Sequence, residues 1–435
     1  MNNLSEGYRM DHRLFSPTPP MGWNSWDCYG AAVTEAEIRG NAEYMAEHLL
    51  STGWDTIVVD IQWCEPGAVS SQYRQFVPLE MDEFSRLIPA VNRFPSAADG
   101  QGFKPLADYV HGLGLKFGIH IMRGIPRQAA HNNTAIKGTT ATARQIASPN
   151  SICPWNTDMY GVDAAQEGAQ QYYNSLFELY ASWGIDFIKV DDIAASRLYD
   201  IHLPEIALIQ NAIQHCGRPI ILSLSPGPAP LEHAGFLSTH ANMWRMTDDF
   251  WDHWLLLLDM FDRCEKWQGK SGNGNWPDCD MLPLGHIGIR SVDGGGADRW
   301  TRFTKDEQVT MMSLWGIFRS PLFFGGELRD NDEWTLNLIT NKHIIDMNQH
   351  SANARLYSRT SNCIVWTAEG ANDSTYVAIF NIGEQELTTE LTTHVNDLQS
   401  YSQVIDAWDN AAFAPSEANT FTIPSHGAKV FLLLK

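Results

Sequence analysis

The sequence is poor in positive charge and has no long apolar run. Its 435 residues include 30 Lys and Arg against 51 Asp and Glu, a formal net charge of −21. Because phosphate backbones and anionic membrane surfaces attract basic clusters, this balance argues against binding to nucleic acid or to a membrane. No apolar stretch reaches transmembrane length, and the segment 1–20 has no apolar run of the kind that signal peptides use. We therefore expect a cytoplasmic protein.

The patterns of cysteine and glycine that accompany metal or nucleotide sites are also missing. The seven cysteines are widely spaced, and they include no C-x-x-C pair. A disulfide framework or a zinc site therefore has no support in the sequence. No G-x-G-x-x-G follows the first candidate strand, whereas an open dinucleotide-binding sheet usually has one. We expect neither a cofactor nor a bound metal, and the sequence leaves the oligomeric state open.

The first three-quarters of the chain alternates short apolar runs with helical stretches. With 44% hydrophobic residues and 16 tryptophans, the chain can bury a large core. The runs are apolar almost throughout, as expected of parallel strands that are buried on both faces. The candidate strands are 19–26, 55–61, 115–121, 186–192, 219–225, 242–249, 276–282 and 320–328.

The segments between these strands carry helix signals. Thr34 and Glu37 form a capping box, apolar residues then follow at helical spacing, and Gly53 ends the pattern. A second helix is predicted over 166–183. Eight strand–helix units predict an α/β protein with a (β/α)8 TIM barrel over residues 1–349, and an open doubly wound sheet is the alternative.

The pattern changes near residue 350. Short β-type runs separated by Gly, Asn, Asp, Pro and Ser occupy 363–369, 374–383, 385–392, 402–408, 419–424 and 428–435. No segment with a helical period lies between them. This arrangement predicts a small C-terminal antiparallel β-sandwich domain over residues 350–435.

Polar side chains gather at the carboxyl ends of the predicted barrel strands, where enzymes of this fold place their active sites. They include Asp60, Trp63, His120, Lys189, Asp191, Asp192, Ser223, Ser225, Arg245, Asp248, Asp249, Asp278 and Asp280. A single aspartate at a strand end is more often a helix cap, but capping does not predict so many on one edge. Such a ring suits glycoside hydrolysis by a carboxylate pair, or a divalent metal bound by oxygen ligands.

Two short motifs meet the demands of a carboxylate pair, in which one group stays ionised as nucleophile and the other protonates the leaving oxygen. Lys189 and Asp191 alternate along a strand and share a face, so the lysine can keep the aspartate ionised. Arg245 and Asp249 offer a charged anchor and a candidate acid. Four tryptophans are candidate platforms for a sugar ring, although tryptophan is more often a core residue: Trp26, Trp63, Trp244 and Trp276.

Two other classes of protein stay open on these residues. Asp60, Asp191 and Asp280 could be oxygen ligands of a metal-dependent barrel enzyme, although such sites usually recruit histidine as well and only His120 is well placed. A non-catalytic sugar-binding protein is the other possibility. The polar segment 123–162 after the third strand is a candidate lid over the site.

Several motifs, in order from Thr18 to about Leu328, resemble those of glycoside hydrolase family 27, the melibiase or α-galactosidase family. They are PPMGWNSW at 19–26, KFGI at 116–119, IKVD at 188–191, WR-x-x-x-D at 244–249 and W-x-D-x-D-M-L at 276–282. The resemblance implies a metal-independent retaining glycosidase with Asp191 as nucleophile and Asp249 as general acid/base. It also implies an oligosaccharide or glycoside as partner. The positions that match the family's sugar contacts are Trp26, Asp60, Lys189, Arg245, Asp280 and Met281.

Three positions depart from the family pattern, and they bear on the sugar. Ile61 stands where the family usually has a second consecutive aspartate, which suggests a sugar altered at C6, such as L-arabinopyranose. Ser225 resembles the α-N-acetylgalactosaminidase branch, and His120 replaces a tyrosine or serine. We expect an exo-acting α-galactosidase-type hydrolase, with an α-N-acetylgalactosaminidase or a β-L-arabinopyranosidase as alternatives.

Overall fold

Eight parallel strands form the central sheet of the structure, a computed structural model that describes residues 10–195, 198–291, 296–417 and 420–435. They are β1 (Met21–Asn24), β2 (Thr56–Val59), β3 (Lys116–Met122), β4 (Phe187–Asp191), β5 (Ile221–Leu224), β6 (Met243–Arg245), β7 (Trp276–Asp278) and β8 (Leu322–Phe324). Seven lie within a predicted strand and are shorter than predicted, and β3 has the predicted length but is shifted by one residue. The sequence-based expectation of these strands is confirmed.

The sheet closes into a barrel. Its order is β7-β6-β5-β4-β3-β2-β1-β8, with parallel pairing at every step. Leu282, just after β7, forms a parallel bridge with Phe324 in β8, and its backbone N–H donates to the carbonyl of Phe323 at 2.7 Å. This bridge joins the two outer strands, so the (β/α)8 barrel is confirmed and the open sheet is excluded.

A helix follows each barrel strand, and one more leads to the C-terminal domain. Helix α1 begins at the predicted capping box, where the N–H of Thr34 donates to the Glu37 carboxylate at 2.9 Å. No helix in the described ranges is long and apolar enough to cross a membrane. The helices are α1 (Glu35–His48), α2 (Lys104–Gly112), α3 (Ala169–Trp183), α4 (Leu203–Cys216), α5 (Ala234–His240), α6 (Trp254–Trp267), α7 (Lys305–Phe318), α8 (Glu333–Ile339) and α9 (Lys342–His350).

The loops at the carboxyl edge of the barrel contain short elements of their own. The segment after β3 forms a three-stranded antiparallel sheet from Ile125–Pro126, Ala147–Ile152 and Met159–Val162. A hairpin after β7 pairs His286–Ile287 with Arg299–Trp300. The short helices are Trp26–Tyr29, Arg127–Asn132, Ala143–Ile146 and, in the C-terminal domain, Leu391–His394.

The C-terminal part is the predicted antiparallel β-sandwich. Its strands are β9 (Ala352–Arg359), β10 (Cys363–Glu369), β11 (Thr375–Asn381), β12 (Leu387–Glu390), β13 (Gln403–Asp406), β14 (Ala411–Phe413), β15 (Thr420–Ile423) and β16 (Ala428–Leu434). One sheet has the order β9-β10-β11-β16-β13-β14, and β12 pairs with β15. The outer strands β9 and β14 were not predicted.

The sandwich packs directly on the barrel helices. The ring of Phe380 in β11 meets that of Phe261 in α6 at 4.9 Å, and Trp366 in β10 meets Phe318 in α7 at 6.2 Å. These rings belong to one apolar core that is shared by the barrel and one face of the sandwich. The domain limits of 1–349 and 350–435 stay predictions.

Candidate active site

A cavity of about 590 Å³ opens at the carboxyl edge of the barrel. Its wall comes from the ends of the strands and from the loops that follow them. The cavity brings together most of the side chains that the sequence nominated. The nominated residues in its wall are Trp26, Asp60, Ile61, Lys189, Asp191, Arg245, Asp248, Asp249, Asp280 and Met281.

Asp191 ends β4 with its carboxylate in the cavity wall. One oxygen lies 3.0 Å from Nε2 of His120 on the neighbouring strand, and the other accepts the backbone N–H of Asp192 at 2.8 Å. Burial alone would raise the pKa of Asp191, but the hydrogen bond with His120 and the charges of His120 and Lys189 together lower it. The site therefore keeps this carboxylate ionised, as a nucleophile requires.

Lys189 and Asp60 form a buried ion pair on the cavity floor. Nζ of Lys189 lies 3.0 Å from Oδ2 of Asp60, and that oxygen also accepts Nδ2–H of Asn24 at 2.8 Å. Burial would lower the pKa of Lys189, but the negative charges of Asp60 and Asp191 raise it above its usual value. Both partners stay charged, so the floor offers fixed donors and acceptors to sugar hydroxyls.

Arg245 joins two carboxylates in the cavity wall. Its Nη1 lies 2.7 Å from Asp280, and its Nη2 lies 2.9 Å from Asp249. The Asp249 side chain is 58% exposed, whereas that of Arg245 is 4% exposed. Burial raises the pKa of Asp280 although the Arg245 charge opposes it, and the carboxylates of Asp249 and Asp278 raise it further. Asp249 is thus anchored by a buried cation and is open to solvent, which suits a group that must exchange protons.

Ile61 makes one side of the cavity apolar. It is 3% exposed and lies directly beside Asp60, whose carboxylate accepts the N–H of Ile61 at 2.8 Å. Its side chain packs in an apolar cluster of Ala31, Ile61, Met122, Cys153 and Met159, with Trp26, Tyr73 and Trp155 against it. A hydroxyl that points at this side of the cavity meets hydrocarbon where a second aspartate would offer an acceptor.

Two nominated sugar contacts lie outside the described wall of this cavity. His120 is 1% exposed and stands behind Asp191, where it acts on that carboxylate. Ser225 lines a smaller void of about 20 Å³ deeper in the barrel, together with Lys189 and Arg245. Contact of either side chain with the sugar stays a prediction, and the geometry favours an indirect role.

Three of the four candidate tryptophan platforms are core residues. Trp63, Trp244 and Trp276 are 2%, 1% and 0% exposed. The indole N–H of Trp63 donates to the carbonyl of His120 at 2.7 Å, and that of Trp276 donates to the carbonyl of Ser16 at 2.9 Å. Only Trp26 of the four lines the cavity, so the prediction was wrong for the other three.

The cavity also contains residues that sequence reasoning missed as site residues. Tyr73 comes from the loop after β2, Trp155 from the loop after β3 and Trp251 from the loop after β6. Asp27 follows Trp26 directly and is 3% exposed, and its Oδ2 has no hydrogen-bond partner among the residues described. Burial, and then the charge of Asp280, raises the pKa of Asp27 well above its usual value. Its place beside Trp26 in PPMGWNSW was the one available signal.

The described residues offer no ligand set for a metal-dependent barrel enzyme. In the described part of the chain, no group of three or more His, Cys, Asp or Glu side chains has an arrangement that could hold a metal ion. The cavity carboxylates are instead paired with cations, as Asp60 is with Lys189 and Asp280 is with Arg245. These carboxylates are therefore held by cationic side chains of the protein itself.

Both parts of the chain match known protein families. A family model described as α-galactosidase A matches residues 18–166 and 156–350. A second model, the α-galactosidase C-terminal β-sandwich domain, matches residues 360–433. The rice α-galactosidase is 25% identical over 426 residues, which are 96% of this chain and 84% of that protein.

Two solved structures are more similar. A β-L-arabinopyranosidase from Geobacillus stearothermophilus is 61% identical, covers 98% of each chain and superimposes with a TM-score of 0.94. A Bacillus halodurans protein provisionally named an α-N-acetylgalactosaminidase is 60% identical, with 96% of this chain and 97% of that chain covered and a TM-score of 0.85.

Proposed function

The chain belongs to glycoside hydrolase family 27, the α-galactosidase family. Within this family, we propose that it is a retaining exo-β-L-arabinopyranosidase. As a member of the family it is a glycoside hydrolase that acts on O-glycosyl bonds. The sequence put α-galactosides first. The geometry at Ile61 and the similarity to a β-L-arabinopyranosidase now favour the sugar that lacks the hydroxymethyl group.

The observation that carries this proposal is the apolar side of the cavity beside Asp60. L-arabinopyranose presents the same ring hydroxyls as galactose and lacks only C6 with its hydroxyl. Asp60 and Lys189 remain as charged partners for the shared hydroxyls, whereas the C6 hydroxyl of galactose would face Ile61. A buried hydroxyl without a hydrogen-bond partner costs about 1–3 kcal/mol, so galactosides bind at a disadvantage.

The reaction follows from two carboxylates with different surroundings. Ionised Asp191 attacks C1 while protonated Asp249 donates its proton to the glycosidic oxygen, and the leaving group departs. Asp249 then takes a proton from water, whose oxygen attacks C1 and displaces Asp191. Two inversions at C1 give net retention. Lys189 and His120 keep Asp191 ionised, and Arg245 holds Asp249 at the cavity edge.

The test is a panel of nitrophenyl glycosides compared by kcat/KM. We expect β-L-arabinopyranoside to exceed α-galactoside by about tenfold or more, the size of effect that one unsatisfied hydroxyl produces. A preference for α-galactoside would reject the proposal. Activity that disappears after exhaustive EDTA treatment would instead support the metal-dependent class.

A second candidate, an α-N-acetylgalactosaminidase, has one observation in its favour besides the Bacillus halodurans relative. Ser225 is small and borders a void of about 20 Å³ that Arg245 also lines. An acetamido group is larger than this void, so we rank the candidate second. The α-N-acetylgalactosaminide in the same panel tests it. A location in the cytoplasm stays a prediction.

A further inference from the structure

Three aromatic rings form a continuous row along one side of the cavity. The ring of Trp26 stacks with that of Tyr73 at 6.2 Å and 19°, and Tyr73 meets Trp155 at 5.6 Å and 41°. All three line the cavity and pack against the apolar cluster that contains Ile61. We call Trp26, Tyr73 and Trp155 the aromatic wall.

The outer part of this wall is built by two loops that hold each other. Nε2–H of Gln62, in the loop that carries Tyr73, donates to Asp158 at 2.9 Å in a buried hydrogen bond. The N–H of Phe76 donates to Oγ1 of Thr157 at 2.8 Å. These contacts on either side of the ring pair fix Tyr73 and Trp155 before any ligand arrives, which lowers the entropy cost of binding to them.

The wall extends beyond the place that the terminal sugar needs. Asp191 and the Lys189–Asp60 pair mark the floor, where the ring that is attacked must lie. A cavity of about 590 Å³ is within the range that holds ligands of drug size, well above a single pyranose ring. The rings of Tyr73 and Trp155 are partly exposed, so each offers a surface to a ligand that is larger than the terminal sugar.

We propose that Tyr73 and Trp155 form the binding site for the leaving group, and that its occupant is a second pyranose ring. This inference rests on the proposed exo-glycosidase function. One face of a pyranose is made of C–H groups, which pack on aromatic rings as other apolar surfaces do. Trp251 also lines the cavity and offers a further aromatic surface to a ligand there.

The same site can hold a sugar acceptor after the covalent intermediate has formed. Transfer to that acceptor is the reverse of the first step of the reaction. When a sugar hydroxyl replaces water, its proton passes to Asp249, its oxygen forms a bond to C1, and the C1–Asp191 ester bond breaks. This transfer needs no further reactant. Weaker binding of sugars at Tyr73 and Trp155 therefore reduces transfer to a sugar acceptor relative to hydrolysis.

The experiment compares an arabinopyranosyl disaccharide with the methyl arabinopyranoside in Tyr73→Ala and Trp155→Ala. We expect kcat/KM for the disaccharide to fall about tenfold in each variant, which corresponds to about 1.4 kcal/mol. The kcat/KM for the methyl glycoside and the inhibition constant of free arabinose should change severalfold less than the disaccharide kcat/KM, since neither ligand occupies the second site. Tyr73→Phe and Trp155→Phe, which retain a ring, should restore most of the disaccharide activity.

Tyr357→Ala is the matched control, because Tyr357 is a 41% exposed aromatic on β9 of the sandwich. Equal losses for the disaccharide, the methyl glycoside and arabinose binding would place the rings at the terminal sugar and overturn the proposal. An unchanged disaccharide kcat/KM in both alanine variants would also overturn it. If the panel of nitrophenyl glycosides favours galactose, the ratio is measured with galactosides, so failure of the proposed function is seen separately from failure of this site.

Discussion

Replacing Ile61 by aspartate changes the cavity at the position where the sugar's C6 would lie. The variant puts a second carboxylate next to Asp60 and removes an apolar side chain that is 3% exposed. Loss of a buried isoleucine costs about 2–5 kcal/mol, and the new carboxylate is desolvated besides. We therefore expect Ile61→Asp to fold with reduced stability, and its melting temperature must be measured before its kinetics are interpreted.

The expected change in specificity follows from one hydrogen bond. A bond between a substrate hydroxyl and a charged side chain is worth about 1.5–3 kcal/mol. At about 1.4 kcal/mol for each factor of ten, Ile61→Asp should raise the ratio of kcat/KM for α-galactoside over β-L-arabinopyranoside by about 10- to 100-fold. The arabinopyranoside has no group to bond with the new carboxylate, so its own kcat/KM should fall.

The assay uses the two nitrophenyl glycosides, with Ile61→Ala and Ile61→Val as matched controls. Ile61→Ala opens space for the hydroxymethyl group without an acceptor, so its ratio should rise less than that of Ile61→Asp. An unchanged ratio in a folded Ile61→Asp protein would refute the reasoning. An equal rise in Ile61→Ala would show that bulk, and not the missing acceptor, excludes galactose.

Four further predictions concern the acidic residues. Asp191→Asn should lower kcat by about 10⁴-fold or more with an unchanged melting temperature, because the amide cannot attack C1; an active variant would contradict the assignment of the nucleophile. Asp249→Asn should lower kcat/KM by about 10²–10⁴-fold for the methyl glycoside and by much less for the nitrophenyl glycoside, whose leaving group needs little protonation. In His120→Ala the pKa of Asp191 should rise, so the acidic limb of the kcat/KM profile should move to higher pH, and a limb that does not move would mean that His120 does not set this pKa. Because burial raises the pKa of Asp27 in the folded state, stability should fall by up to about 1.4 kcal/mol per pH unit between its unfolded pKa of about 3.9 and its raised folded-state pKa. Asp27→Asn should remove this contribution, as urea unfolding between pH 4 and about 7 would measure.

The barrel could be predicted because its signals are local. Each strand is a short apolar run, each is followed by a helix, and the capping box at Thr34 sets the start of α1 where expected. The outer strand β9 gave no such signal, since most of its residues are exposed and its sequence has no alternating apolar face. It is a strand because it pairs with β10, and pairing across the chain is not visible in the sequence of one segment.

The residues of the site divide in the same way, into those at strand ends and those on loops. Asp191 and Arg245 end barrel strands, so their convergence follows from the topology alone. Tyr73 and Trp155 instead come from two long loops, which are joined by the bonds from Gln62 to Asp158 and from Phe76 to Thr157. A strand end fixes the proposed nucleophile, and loops fix the aromatic rings proposed to bind the leaving group. On this proposal, changes in these loops can alter the choice of leaving group while the chemistry at C1 is preserved, and the loop residues were the hardest to predict from sequence.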